Sequence, residues 1–170
     1  PFRDDALDMP ALHALVESQI EAGVHGLIAC GTTGETPTLA RDEYERVVRT
    51  VVEVAAGRVP VMAGTGGNNT PHTIETTRLA ARLGADAALV VTPYYNKPQQ
   101  DGMVAHFRAV AAEGGLPVCL YNVPGRTGVN LLPETVLRLI GTPGIFGIKE
   151  ASGTVNQVRD LVAGARDGFT

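Results

Sequence analysis

The chain has 170 residues, 44% of them hydrophobic and 19% charged, with a formal net charge of −4. That is enough apolar material for one domain with its own core, and no stretch gathers lysine and arginine as nucleic-acid binding would require. No apolar run nears the ~20 residues that cross a bilayer, and the first residues show no signal-peptide pattern, so a cytoplasmic protein without membrane or nucleic-acid partners is expected.

A first helix is followed by five short apolar runs, at Gly26–Cys30, Val59–Ala63, Ala87–Thr92, Pro117–Asn122 and Ile145–Lys149. Their starts lie about thirty residues apart, the length of a strand–helix unit. Each run is continuous rather than alternating, as expected of parallel strands buried on both faces. Helical patterns fill the intervals. Tyr44, Val47, Val48, Val51, Val52 and Ala55 recur at the spacing of one buried helix face. Thr70 before Pro71 reads as an N-cap and first helical position, and Thr154 with Gln157 as a capping box. Pro133 and Glu134 open another helix, whereas Gly57 and Gly84 stand where helices stop. Phe169 and Thr170 read as the opening of a further strand.

The repeated units form a single domain over residues 1–170, either a doubly wound sheet or a (β/α)8 barrel. In both, chemistry collects at the C-terminal ends of the strands. Those ends read "CGTTGETP", "AGTGGNNTP", "TPYYNKP", "YNVPGRTG" and "KEASG". Hydroxyls, paired tyrosines, an arginine and a lysine therefore gather at one rim.

The motif "GTTGE" suits a small anion such as a carboxylate, held by backbone N–H groups and the hydroxyls of Thr32 and Thr33; a plain turn with a capping threonine is the bland alternative. It lacks the ending of a P-loop, and "GTGGNN" has asparagine where a dinucleotide fingerprint needs its third glycine, so nucleotide binding is set aside. His13, His25, His72 and His106 lack ligand spacing and read as surface or partly packed residues, so no metal is expected. Cys30 and Cys119 read as free thiols in the core.

Tyr94 and Tyr95 face opposite sides if the strand persists, one toward the core and one toward a partner. Arg126, between Gly125 and Gly128, is either a surface arginine or a planar grip for a carboxylate. Lys149, which ends a strand, either snorkels or pairs with Glu150, or serves as an amine nucleophile for a carbonyl substrate. The last role needs a pKa brought down by roughly three units from ~10.4, a cost on the order of 4 kcal/mol that desolvation can supply.

At "GTTGETPTL", "VTPYYNKP", "YNVPGRTG" and "GIKEASG" the chain resembles, from end to end, the dihydrodipicolinate (4-hydroxy-tetrahydrodipicolinate) synthase family of class I pyruvate-dependent aldolases. The resemblance implies a (β/α)8 barrel, of which this chain would cover roughly strands 2 to 6, truncated at both ends relative to the family. It implies a lyase that condenses pyruvate with L-aspartate 4-semialdehyde on the route to diaminopimelate and lysine. Lys149 would form the imine with pyruvate, with no metal or organic cofactor. Tyr121, Thr33 and Tyr95 would relay protons, with Tyr95 reaching into a neighbouring subunit of a homotetramer built as a dimer of dimers. Thr32 and Thr33 would hold the pyruvate carboxylate, and Arg126 that of the aldehyde. Sister enzymes cleaving N-acetylneuraminate or keto-deoxy sugar acids, and a non-catalytic barrel fragment that binds keto acids, are the alternatives. Taken alone, five strands with open edges are expected to give little activity and to associate.

Overall fold

The computed structural model describes residues 1–170. A small antiparallel hairpin, β1 (Phe2–Arg3) and β2 (Ala6–Leu7), leads into helix α1 (Met9–Glu21). Asp8 caps α1, its Oδ1 accepting the Ala11 N–H at 3.0 Å, and also meets Arg3 at 2.8 Å. There follow β3 (Leu27–Ala29), α2 (Arg41–Ala55), β4 (Val61–Gly64), α3 (Thr70–Arg82), β5 (Ala87–Val91), α4 (Gln100–Glu113) and β6 (Val118–Asn122). The short helices α5 (Pro124–Thr127) and α6 (Pro133–Leu137), then β7 (Ile145–Glu150) and α7 (Val155–Gly164), complete the chain.

Strands β3 to β7 form one parallel sheet in the order β3-β4-β5-β6-β7. Strand order never reverses, so the sheet has no crevice of the doubly wound kind; a run of neighbours in sequence order is the arrangement of a (β/α)8 barrel wall. The fold is α/β, and the chain forms part of such a barrel. The Ile148 N–H donates to the Thr170 carbonyl at 2.8 Å and the Thr170 N–H to the Phe146 carbonyl at 3.0 Å, so Thr170 already continues the ladder beyond β7.

Because successive strand residues face opposite ways, each strand supplies two layers. On the outer face Ala29, Val61 and Ala63 pack with Leu12 and Val16 of α1, Val48 and Val51 of α2, and Leu79 and Ala80 of α3. Farther along, Ala88, Val90, Val118 and Leu120 meet Met103, Phe107 and Val110 of α4 and Leu161 of α7. The inner face carries Leu89, Cys119, Tyr121 and Val123, with Met62, Val91 and Phe146 against them. Ile28 on the same sheet remains 47% exposed. Both cysteines are buried free thiols, and burial pushes Cys30 up to about 12.

Three local expectations are corrected. The cap of α3 is Asn69, whose Oδ1 accepts the His72 N–H at 2.9 Å, which leaves Thr70 inside the helix. Thr154 occupies the N-cap of α7 but makes no capping bond, because Gln157 turns inward to Glu150, Asn130 and Leu131. His106 is not a surface residue: it is 5% exposed between α3 and α4, with Nδ1 2.9 Å from Thr70 Oγ1 and Nε2 unpartnered.

That burial lowers the His106 pKa to about 4. The neutral ring is therefore the folded form, while an unfolded histidine protonates near ~6.5. Stability should be complete above that value and fall as pH drops toward about 4, by at most ~1.4 kcal/mol per pH unit for this group. Denaturant unfolding at pH 7 and pH 5 should show a smaller difference in His106→Gln than in the parent; an equal difference would assign the acid sensitivity to another group.

Two strands approach too closely for any side chain. A Cβ on Gly64 would lie 1.9 Å from the Cys30 carbonyl oxygen, whereas one on Gly125 meets nothing within 4 Å. Gly64→Ala should lower unfolding free energy by about 1–3 kcal/mol or more, as backbone must move, and Gly125→Ala should leave it near the parent value. Equal stability of the two variants would contradict the close approach.

Candidate active site

The C-terminal ends of β3 to β6 and the loops that follow them enclose a cavity of about 550 Å³. Its floor is apolar, with Leu89, Val91 and Val123, and its rim carries Thr32, Tyr95, Tyr121 and Arg126. Parallel strands bring these residues together although they are almost a hundred positions apart in sequence, because every strand end lies at the same edge of the sheet.

The wall after β3 is built by backbone geometry. Cys30 turns at φ 52, and two short 3-10 turns follow, Thr32–Gly34 and Thr36–Thr38, joined through Glu35 at φ 54. Thr36 braces this turn by donating its hydroxyl to the carbonyls of Cys30 and Gly31. Thr32 lines the cavity; Thr33 is exposed and borders a neighbouring apolar hollow with Ile28 and Leu39 instead. On the next strands Gly64 and Gly66 bring backbone to the cavity, and a Cβ on Gly66 would lie 2.3 Å from the Val91 nitrogen.

After β5 the two tyrosines diverge. Tyr94 is half-buried, while Tyr95 adopts φ 71 and is 87% exposed, its N–H directed at the Thr127 carbonyl at 3.4 Å. Strand β5 has ended by then, so the separation comes from this left-handed turn rather than from strand alternation. Tyr121 is buried near the end of β6, and Arg126 sits in α5 just beyond it. No hydrogen bond links Thr33, Tyr95 and Tyr121 to one another.

Lys149 stands directly opposite Tyr121 in the β6–β7 register. Its side chain is exposed, so the desolvation expected of a nucleophilic lysine is not provided within residues 1–170. Nζ lies 4.6 Å from the Tyr121 ring centroid, over the face of the ring. A cation over a tyrosine face is attracted by the ring quadrupole, which holds the amine on the cavity side of the sheet. Glu150 makes no ion pair with Lys149; its carboxylate turns to the other face, toward Asn122 and Gln157. Thus Thr32, Tyr95, Tyr121 and Arg126 share one cavity, Lys149 adjoins it through Tyr121, and Thr33 lies apart.

Residues that spacing alone did not single out are Thr36, Gly64, Gly66 and the polar group around Asn122. The hydroxyl-rich "GTTGET" run held the clue to Thr36, but the others depend on contacts between strands. No group of three or more His, Cys, Asp or Glu side chains is placed to hold a metal ion, and no helix is long and apolar enough to cross a membrane.

The family model described as the Dihydrodipicolinate synthetase family matches residues 1–170. A 4-hydroxy-tetrahydrodipicolinate synthase from Maridesulfovibrio salexigens is 49% identical over 100% of this chain, which covers 59% of that protein. Among solved structures, the 4-hydroxy-tetrahydrodipicolinate synthase of Methylacidiphilum fumariolicum SolV superposes with a TM-score of 0.97 at 43% identity, covering 100% of this chain and 57% of its own. The chloride-inhibited dihydrodipicolinate synthase of Acinetobacter baumannii, complexed with pyruvate, gives 0.93 at 48% identity over 95% of this chain and 56% of that one. The chain thus spans a little under three fifths of the length of the relatives it matches. With the sheet order, the motifs and the full-length match in agreement, the chain belongs to the dihydrodipicolinate synthetase family.

Proposed function

We propose that this chain carries the pyruvate-binding and imine-forming machinery of a 4-hydroxy-tetrahydrodipicolinate synthase, a lyase of diaminopimelate and lysine synthesis acting on pyruvate and L-aspartate 4-semialdehyde. The observation that carries the reading is the pairing of Lys149 with Tyr121 at the end of two adjacent strands, Nζ 4.6 Å from the ring centroid, beside a cavity rimmed by hydroxyls and Arg126. The pyruvate bound to a relative 48% identical to the chain supports the choice of first substrate.

The chemistry follows from an amine beside a phenol. The neutral Lys149 amine attacks the pyruvate keto carbon, and loss of water leaves an iminium on Nζ. The positive nitrogen draws electrons from the adjacent methyl group, which releases a proton to give an enamine. Tyr121, whose hydroxyl belongs to the same rung, moves that proton. The enamine carbon then attacks the semialdehyde carbonyl, and the amino group of that substrate displaces Nζ from the imine carbon, which closes the ring as a cyclic imine and returns the lysine. Thr32 holds the pyruvate carboxylate together with Thr33, and Arg126 receives the carboxylate of the second substrate through its planar fork. Thr33, which borders the neighbouring hollow, joins the relay with Tyr121 and Tyr95 once the strands that close the barrel are present. The exposed Tyr95 is suited to enter a neighbouring subunit in a homo-oligomer. The reaction needs no metal and no organic cofactor, and a cytoplasmic setting suits its soluble substrates.

The chain has only two lysines, Lys97 and Lys149, which makes the assignment easy to test. With residues 1–170 replacing the matching stretch of a full-length relative, incubation with pyruvate followed by borohydride should place a reduced adduct on Lys149 and none on Lys97, and Lys149→Ala should abolish it. Absence of the adduct, or its persistence in Lys149→Ala, would overturn the reading.

Arg126 separates the two substrates. With residues 1–170 replacing the matching stretch of a full-length relative, Arg126→Ala should lower turnover of the semialdehyde by about a hundredfold, as loss of a bidentate charged contact does, while imine trapping with pyruvate persists. Equal loss of trapping would move Arg126 to the pyruvate site, and preference for a sugar-acid aldehyde would make this a sister aldolase.

A further inference from the structure

The β6–β7 pairing is irregular where the reaction depends on it. Val118 pairs with Ile145, but the next residue, Cys119, pairs with Gly147, so β7 holds one residue more than β6 between these rungs. Beyond this bulge Tyr121 opposes Lys149 and Asn122 opposes Glu150. A bulge leaves one residue unpaired and disrupts the ladder locally, and a slip of one residue exchanges the two faces of a strand. In the slipped register Lys149 would point into the helix layer and Glu150 into the cavity.

A polar cluster on the helix side, with Asn122 and Gln157 buried and Glu150 and Asn130 half-buried, favours the observed register. Asn122 is 0% exposed, and both faces of its amide are used. Its Nδ2 donates to Glu150 Oε2 at 3.0 Å and to Asn130 Oδ1 at 2.8 Å, while its Oδ1 accepts the Leu131 N–H at 2.9 Å. Glu150 also accepts from Gln157 Nε2 of α7 at 3.1 Å and from the Ser152 N–H at 2.6 Å. The Gln157 amide reaches Asn130 and the Leu131 carbonyl as well. Charged hydrogen bonds of this kind are the strong ones, and leaving any member buried without its partner costs the full desolvation of that group. The bonds that Glu150 makes with Asn122 and Gln157 are lost if β7 moves by one residue, because Glu150 then leaves the cluster and the Asn122 and Gln157 amides each lose their carboxylate partner.

Resting on the proposed role of Lys149, we infer that Asn122 and Glu150 are positioning residues: a register lock whose hydrogen bonds on the helix side of the sheet hold the Lys149 amine over Tyr121 on the cavity side. The same cluster pins Asn130 and Leu131, which follow the helical turn bearing Arg126, so one set of bonds orders both the imine-forming lysine and the loop of the second carboxylate grip. The two rungs divide the work: Tyr121 and Lys149 carry the chemistry, and Asn122 and Glu150 set its geometry.

The test reads geometry and chemistry separately on the 170-residue chain. Reductive methylation with ¹³C-formaldehyde labels Lys97 and Lys149, and the Lys149 methyl signal should be displaced by the Tyr121 ring, a displacement lost in Tyr121→Leu. Asn122→Asp sets two carboxylates against each other and should abolish the displacement in chains that remain folded by circular dichroism, with the rate of pyruvate trapping on Lys149 falling on the order of tenfold to a hundredfold. Adding Glu150→Gln to that variant restores an amide donor opposite a carboxylate and should recover both signals to within about threefold of the parent, as expected for a hydrogen bond re-formed with roles exchanged. Glu150→Gln alone keeps its shape and should show an intermediate loss. If Asn122→Asp and Glu150→Gln each keep the ring displacement and the trapping rate, or if the double variant is no better than Asn122→Asp, the lock is refuted. Should the parent show the ring displacement but no trapping, the functional reading fails while the displacement still decides the lock.

Discussion

The arrangement depends on the parallel pairing of β6 with β7. That pairing places a lysine beside a tyrosine on one face of the sheet and a glutamate beside an asparagine on the other. Alternation along a strand makes these two facts inseparable, since a residue can face the cavity only if its neighbour faces the helices. The Lys149 amine lies over the Tyr121 ring, and the Glu150 carboxylate is enclosed by amides from Asn122 and Gln157. A charged group on each side of a two-strand rung would be expensive unless each were matched, and here each is: one by an aromatic face and solvent, the other by hydrogen bonds.

The remaining strands contribute the cavity walls and the loops that bear Thr32 and Tyr95. Glycines at 64 and 66 let β4 and its loop come within contact of the Cys30 carbonyl and the Val91 nitrogen, which draws the hydroxyl-bearing turn after β3 toward the cavity. Thr36 holds that turn in place by bonding to two of its carbonyls. The outer face is ordinary core, with Phe107 and Met103 of α4 fully buried against β5 and β6. The main packed core and the cavity therefore lie on opposite faces of the same strands.

Much of this was legible in the sequence for physical reasons. Continuous apolar runs such as "AALVV" and "VCLYN" can only be buried on both faces, so the parallel sheet followed directly. The strand-end motifs named Thr32, Tyr95, Tyr121, Arg126 and Lys149, and folding gathers these around or beside one cavity. What was not legible depends on tertiary competition. Gln157 has the spacing of a capping-box residue, but a half-buried carboxylate offers its amide more than an exposed helix end does. His106 carries no local signal of burial, because only the packing of α3 against α4 encloses it. The bulge between Val118 and Cys119 is likewise invisible in either strand alone, being a property of their pairing.

The claim on which the rest turns is that the Lys149 amine, held over Tyr121, is the atom that bonds to pyruvate. The most direct measurement is the NMR spectrum of the chain prepared with ¹⁵N-ζ-lysine and mixed with pyruvate labelled with ¹³C at the keto carbon. An imine carbon signal split by one bonded ¹⁵N, absent when Lys149→Arg is used in place of the parent chain, is the predicted result. A split imine signal that survives Lys149→Arg and so arises from Lys97, or a keto carbon that never couples to nitrogen, would contradict it.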